Sequence, residues 1–400
     1  MKILVVCQHF DPEQFRINDI VYQLSNNGHN VTVLTGLPNY PKGKIYAGYT
    51  WFRKRKEVLN GVKVIRSFTI GRGNNLLMLG LNYASFAIFA SIKAIKLREK
   101  FDVIYVYQLS PITMAIPGII VKKLKKIPLI IHCLDQWPIS VTAGPIRETS
   151  YFYKILYKIS RKIYKSADLI TISSKSFLMY FRNVLNLSES RIVYWPSYAE
   201  EIYSDIGHVE NDVFDLLFAG NIGPAQSVET IIEAAKILSD NKKVFFHIVG
   251  DGLSRKICET MVDKYKLTNV KFYGYHPIDQ IRQFYEIADA FLVTMVNNEV
   301  VNQTLPAKIQ SYMLAGKPII GAVSGEVKQV INEAGCGVCC ESLDYEKFAE
   351  NIRLIVSGLI NIEKFGENGK QYYHNNFSKT KCMSDLENLL QTVILNNDYS

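Results

Sequence analysis

The sequence predicts an α/β protein made of two doubly wound, Rossmann-like domains, and three observations carry that expectation. Short apolar runs alternate with helix-length segments along nearly the whole chain, the pattern of parallel strands covered on both faces by helices. The alternation breaks at Tyr194-Trp195-Pro196 and an acidic, irregular stretch to about Asn211, then restarts at Val213. Charge divides at the same place: residues 1–200 carry 28 Lys+Arg against 11 Asp+Glu, a net of +17, and residues 201–400 carry 18 against 26, a net of −8. A chain of 400 residues with 48% apolar content has enough side chains for two cores. The expected division is a first domain over 1–195, a linker over 196–211 and a second domain over 212–400, with the helical stretch at 345–396 able to pack back on the first.

In the first domain the run at 2–7 is a continuous apolar strand, 16–27 has helical periodicity, and 30–35 is a second strand. Further strands fall at 62–67, 102–107, 128–133 and 168–173. In the second domain they fall at 213–219, 244–249, 270–274, 289–294, 318–323 and 336–340. Open parallel sheets bind ligands beyond the carboxyl ends of their strands, at the switch in strand order, so two such domains are expected to face a ligand cleft.

Several classes are disfavoured. No Gly-x-Gly-x-x-Gly follows the first strand, which speaks against a dinucleotide enzyme. Seven scattered cysteines and a start that is itself a strand, with no secretory leader, place the chain in a reducing cytoplasm. Cys336, Cys339 and Cys340 lack partners at zinc spacing and read as a buried strand, so no metal site is expected. The uncharged stretch from Gly73 to Ile92 is interrupted by asparagines and serines and runs straight into a strand, so it reads as a buried or surface-dipping helix and not a span. The basic first half faces a polyanion, but no nucleic-acid reading module or aromatic-basic stacking motif accompanies it.

The segment Gln303 to Gly325 is the one around which the chemistry gathers. Pro306 suits the first turn of a short helix, leaving the amides of Ala307 and Lys308 and the Lys308 ammonium at a positive helix end, a place for phosphate. Glycine turns close three successive strands: Gly220-Asn221-Ile222-Gly223, Gly250-Asp251-Gly252 and Gly274-Tyr275. In the first domain, His9 and Arg16 lie in or just after the first loop, Asn39 and Tyr40 in the next, and His132-Cys133-Leu134-Asp135 at a strand's end, an imidazole and a carboxylate three residues apart, types suited to proton transfer. The helix at 151–165 sets Tyr151, Phe152, Ile155, Leu156, Ile159 and Ile163 on one arc and Lys154, Lys158, Arg161, Lys162 and Lys165 on the opposite one, apolar toward the sheet and basic outward, where anionic lipid would be attracted.

LPAKIQSYMLAGKPII resembles the donor-binding segment of family 4 glycosyltransferases, in the bacterial branch that assembles capsule, exopolysaccharide and O-antigen repeat units on a lipid carrier. TGLPNYPKGK and DQWP resemble further elements of the same branch. The resemblance implies the GT-B fold and a retaining, metal-independent enzyme without a cofactor that moves a hexosyl or N-acetylhexosaminyl group from a nucleotide diphosphate, UDP by expectation, to a lipid-linked saccharide at the inner face of the cell membrane. It implies donor contacts from Gly220, Asn221, Gly223, Gly250, Asp251, Gly252, Tyr275, Gln303, Leu305, Pro306, Lys308 and Ser311, and acceptor contacts from His9, Arg16, Asn39 and Tyr40. Catalytic roles would fall to His132, Asp135 and Lys308. Many relatives carry glutamates where this chain has Gln303 and Ser311. Two rival readings share the composition: a non-hydrolysing UDP-sugar epimerase leaves the basic first half unexplained, and a non-catalytic membrane-surface binder leaves the glycine turns unexplained.

Overall fold

The computed structural model describes residues 1–50, 52–143 and 146–398. The chain forms two compact units, one of Met1–Trp195 together with the chain from Met383 onward, the other of Pro196–Cys382.

In the first unit, strands β1 (Lys2–Val6), β2 (Asn30–Thr35), β3 (Lys56–Leu59), β4 (Val62–Arg66), β5 (Val103–Gln108), β6 (Leu129–Cys133), β7 (Leu169–Ile172) and β8 (Ile192–Tyr194) form one sheet in the order β3-β4-β2-β1-β5-β6-β7-β8. All neighbours pair in parallel except β3, which runs antiparallel to β4 at the edge. The central strands are buried on both faces because helices cover both: α1 (Arg16–Asn26), α2 (Leu76–Ile95), α3 (Ile116–Lys125) and α4 (Tyr151–Lys165). Strand order reverses between β1 and β5. The parallel steps from β4 to β5, β5 to β6 and β6 to β7 all run one way, so right-handed crossovers put α2, α3 and α4 on one face, and α1, which steps the other way, on the opposite face. The final helix, Lys379–Asp398, joins this unit from Met383; its Glu387 accepts from Asn27 Nδ2 at 2.6 Å and pairs with His29 at 3.3 Å.

The second unit holds β9 (Phe214–Ala219), β10 (Val244–Val249), β11 (Val270–Gly274), β12 (Ala290–Thr294), β13 (Ile319–Ala322) and β14 (Gly337–Cys340), all parallel, in the order β11-β10-β9-β12-β13-β14. The reversal lies between β9 and β12, which brings the loop after β9 beside the chain that leaves β12 toward Lys308.

Three features differ from the sequence reading. The 196–211 segment is no free linker: Tyr198, Ala199 and Tyr203 are buried in the second unit, Tyr203 stacks on Tyr285 at 4.6 Å, and the Ala199 amide donates to Tyr373 Oη. β3 and β8 add edge strands; β3, with its Arg-Lys-rich approach and Lys56 and Glu57, has the polar character of an exposed edge and no apolar run to announce it. In α4 the buried residues are Tyr153, Ser160, Ile163 and Tyr164, while Tyr151, Phe152, Ile155 and Ile159 are exposed. The helix is turned from its apolar arc because Tyr164 Oη donates to Gln108 Oε1 at 2.9 Å, a bond that draws a tyrosine inward.

Candidate functional site

The helix Lys308–Ala315 begins directly after Pro306-Ala307, and no side chain caps its first turn. Its position is set one turn in. Tyr312 Oη accepts from the Ala219 amide at 3.0 Å and donates to the Ala219 carbonyl at 3.2 Å, and its ring stacks on Phe291 at 4.3 Å. Residues four apart share a helix face, so fixing Tyr312 under the end of β9 sets Lys308 beside Gly220. Lys308 Nζ lies 3.8 Å from the centre of the Phe218 ring and is sealed from solvent with no hydrogen-bond partner. Burial lowers its pKa from 10.5 to about 7.

The glycine turns are stitched to one another. Gly220 N donates to Val249 O at 2.9 Å, Gly250 N to Gly274 O at 2.8 Å, and Ile222 N to Asp251 O at 2.9 Å. Gly250 has φ +141°, and a Cβ there would stand 1.8 Å from the Gly220 carbonyl oxygen; one on Gly220 (φ +143°) would meet Lys308 Nζ at 3.1 Å. The first glycine thus lets two loops touch, and the second leaves room for the ammonium. Asn221 packs among these turns, its side-chain atoms 2.6–2.7 Å from where Gly223 and Gly252 would carry a Cβ. Asp251 is exposed and accepts from the Gly252 amide at 2.8 Å, so its carboxylate closes its own turn. Ser311 Oγ donates back to Ala307 O at 3.4 Å, Leu305 is buried, and Tyr275 stands exposed at the end of β11. Gln303 caps the short helix Glu299–Asn302. A second cation at these turns escaped the sequence reading: Arg255 Nη1 would touch a Cβ on Gly274 at 3.1 Å, with Nε on Glu259 at 2.8 Å.

In the first unit the expected residues separate. His132 lies within β6 among Tyr105, Tyr107 and Trp195, with Nδ1 on Thr171 Oγ1 at 3.0 Å. Burial takes its pKa from 6.5 down to about 3. This setting does not suit the catalytic role expected of it: the residue is 1% exposed and held within the sheet. Asp135 is partly exposed, accepts from Ser110 Oγ and from Trp137 Nε1 (3.1 Å), and has its pKa raised by burial against the effect of those bonds. Asn39, expected at the acceptor, is fully buried: its Oδ1 accepts from the Arg72 amide at 3.1 Å and from Asn82 Nδ2 at 3.3 Å, which ties two loops together. His9 stacks on Phe15 at 5.0 Å and Tyr40 is tilted against both rings, partly exposed beneath Arg72. Arg16 opens α1. What gathers them is Glu13, which the sequence did not single out. Its Oε1 accepts from His9 Nδ1 at 2.9 Å, Asn39 N at 2.8 Å and Tyr40 N at 2.7 Å, and the side chain is buried.

Two family models match in tandem, "Glycosyl transferase 4-like domain" over residues 14–197 and "Glycosyl transferases group 1" over residues 200–372. The chain belongs to the family 4 glycosyltransferases. Among curated proteins it is 25% identical over 387 residues, 88% of this chain and 91% of the relative, to the putative colanic acid biosynthesis glycosyl transferase WcaI of Escherichia coli K12. Among solved structures it shares its fold with sucrose-phosphate synthase from Thermosynechococcus elongatus (TM-score 0.78, 14% identity, 99% of each chain). It likewise resembles Anabaena HepE, solved in complex with UDP and glucose (TM-score 0.71, 15% identity, 98% of this chain and 99% of that one). The fold is GT-B, and the protein is a glycosyltransferase.

In this glycosyltransferase the surroundings of Lys308 combine a buried amine without a counterion, glycine backbone at a strand end and helix amides that no side chain caps, the elements of an anion site. Among the described residues no group of three or more His, Cys, Asp or Glu is placed to hold a metal. The cysteines of β14 are free thiols whose pKa values burial pushes up to about 12.

Three outcomes test this geometry. Gly250→Ala should lose about 2–4 kcal/mol of stability in urea unfolding, since the new methyl meets a carbonyl in a backbone conformation unsuited to a side chain. Glu13→Ala should cost about 2–4 kcal/mol by leaving two buried donors, His9 Nδ1 and the Asn39 amide, and the part-buried Tyr40 amide unpaired. For Lys308 the sign runs opposite: an unfolded lysine keeps its proton to about 10.5 and the buried one only to about 7, so ligand-free folding is penalised below pH 7 and recovers as pH rises toward 10.5. Lys308→Met should therefore stabilise the ligand-free protein at pH 7, by a few kcal/mol at the order-of-magnitude level, with the gain fading above pH 10.

Proposed function

We propose that the enzyme transfers a hexosyl or N-acetylhexosaminyl group from a UDP-sugar, with retention of anomeric configuration, to a lipid-linked saccharide during assembly of a surface polysaccharide. The observation that carries this reading is the sealed, partnerless Lys308 ammonium beside Gly220 at the switch point of the second sheet. A buried cation of this kind is costly until an anion arrives, and a diphosphate supplies one. UDP as the donor's nucleotide draws support from HepE, solved with UDP and glucose, and a role in polysaccharide assembly from the colanic acid name of WcaI.

In this reading the diphosphate lies against Gly220, the amides of Ala307 and Lys308, and the Lys308 ammonium. Tyr275, Gln303, Leu305 and Ser311 line the rest of the donor pocket, with Asn221, Gly223 and Asp251 shaping its loops. As the sugar departs, negative charge grows on the β-phosphate, and a preplaced ammonium stabilises it without reorganisation and without a divalent ion. The acceptor is held by the first unit, through His9 and Tyr40 on the loops Glu13 locks, with Arg16 nearby. Asp135, in the partly exposed loop after β6, serves the acceptor hydroxyl where the sealed His132 does not. The hydroxyl proton passes to the departing phosphate.

Phosphate beside Lys308 should raise the lysine pKa again, so binding takes up a proton wherever the free enzyme has lost it. Titration calorimetry with UDP at pH 8 in buffers of different ionisation enthalpy should show uptake approaching one proton, falling toward zero at pH 6. In Lys308→Ala both uptake and UDP binding should vanish, while EDTA leaves binding and turnover with a UDP-sugar unchanged. Unaltered UDP affinity in Lys308→Ala would refute the phosphate role.

A further inference from the structure

Helix α2 is 20 residues long, apolar enough to cross a membrane, and carries no charge between Arg72 and Lys93, yet only 22% of its most apolar stretch is buried. A core helix of that composition would be mostly covered. Its inner face is: Phe86, Ala90 and Ala94 pack inward, and Asn82 is pinned by Gln8 Nε2 at 2.6 Å and by its own bond to Ile70 O at 2.6 Å. Its outer face is a stripe at spacings of three and four, Leu77, Leu81, Ala84, Ile88, Ile92 and Ile95, with Leu77 73% and Ile88 57% exposed. Both ends of α2 return to one sheet, through β4 and β5, so the helix cannot thread a bilayer and must lie along whatever covers it.

The surroundings of the stripe are basic. Lys93 near the end of α2 stands close enough to Arg55, Lys56 and Lys96 to feel their charge, and Arg53, Lys54 and Lys56 are exposed. On the same face of the sheet, α3 adds exposed Leu124 between Lys123 and Lys126. There too α4 exposes Phe152, Ile155 and Ile159 beside Lys154, Lys158 and Lys162, the mixture of aromatic, aliphatic and lysine suited to a headgroup interface. A second copy of the chain would bring the same positive charges to the contact, and residues 1–200 already carry a net +17. An anionic surface with an apolar interior complements both features at once.

We infer that the outer surface of the α2-α3-α4 layer is a docking face for an anionic phospholipid bilayer, with the Leu77–Ile95 stripe of α2 immersed in the plane of the interface and the surrounding lysines and arginines on the headgroups. The α2 stripe is the immersed element, and the basic residues of α4 are its electrostatic flank. The binding is independent of donor chemistry; only its use, bringing the enzyme to a lipid-linked acceptor, rests on the function proposed above.

The test is flotation of the full-length protein with vesicles of phosphatidylglycerol and phosphatidylcholine, and with phosphatidylcholine alone. The wild type should float with the anionic vesicles and only weakly with the neutral ones. Leu81→Gln/Ile88→Gln/Ile92→Gln should partition about tenfold more weakly or worse, while keeping the wild-type melting temperature and its stabilisation by UDP. Lys93→Gln/Lys96→Gln should lose roughly fivefold per charge at low salt. Lys308→Ala should float like the wild type, which separates failure of the membrane inference from failure of the donor site. No flotation of the wild type with anionic vesicles, or equal flotation of the triple variant, overturns the inference. So does a wild-type dimer in analytical ultracentrifugation that the triple variant abolishes, because the stripe would then be a self-contact.

Discussion

The paired hydrogen bonds between Tyr312 Oη and the backbone of Ala219 are the constraint on which the second unit's chemistry depends. They lock a short helix to the end of a strand, and helix periodicity then leaves Lys308 no place except against Phe218 and Gly220. Without that anchor a lysine would extend its flexible stem into water, as lysines nearly always do. With it, an ammonium is held dry and partnerless, its pKa down to about 7 by desolvation. Such strain persists because aromatic packing of Tyr312 on Phe291 and the stitched glycine turns hold the site from both sides.

Much of this was legible from residues alone, for identifiable reasons. Interior parallel strands announce themselves as unbroken apolar runs, so every central strand and the restart after the first unit could be read. Pro306, Lys308 and Gly316 mark a helix whose start and stop are local chemistry, and Gly316 takes the left-handed cap at φ +72°. Edge strands β3 and β8 have no such signature, since half their surface is free of the core. The orientation of α4 failed for a different reason: an amphipathic pattern identifies two faces but not which tyrosine finds a buried partner, and Gln108 for Tyr164 is 56 positions away.

The candidate site divides along the same line. His132 and Asp135 looked equivalent as polar residues three apart at a strand's end. The difference is that one belongs to the strand and the other follows it. Within β6, His132 meets the Thr171 hydroxyl and three aromatic rings and is neutral by desolvation; two residues past the strand, Asp135 meets donors from Ser110 and Trp137 in a partly exposed loop. Glu13 was invisible because its three donors come from one imidazole and two backbone amides, and amides carry no sequence signal. Arg255, at the start of the helix Arg255–Tyr265, was missed because the glycine it meets ends β11, in a different element of the chain.

The departure from the family pattern at position 311 follows from the same electrostatics. Ser311 stands three residues after Lys308, a separation at which helix side chains meet, and many members of the branch that this segment resembles have glutamate there. A carboxylate so placed would answer the ammonium, and a lysine with a built-in counterion would keep its proton at neutral pH. Ser311 instead turns its hydroxyl back to the Ala307 carbonyl, and Gln303, the other position of the pair, is uncharged. The chain thereby leaves the buried Lys308 Nζ against the Phe218 ring with no hydrogen-bond partner and no carboxylate at position 311 to answer it. On the function proposed above, an anion entering beside such an amine favours its protonated form, so binding and proton uptake are coupled, and a carboxylate at position 311 would weaken that coupling by holding the proton beforehand.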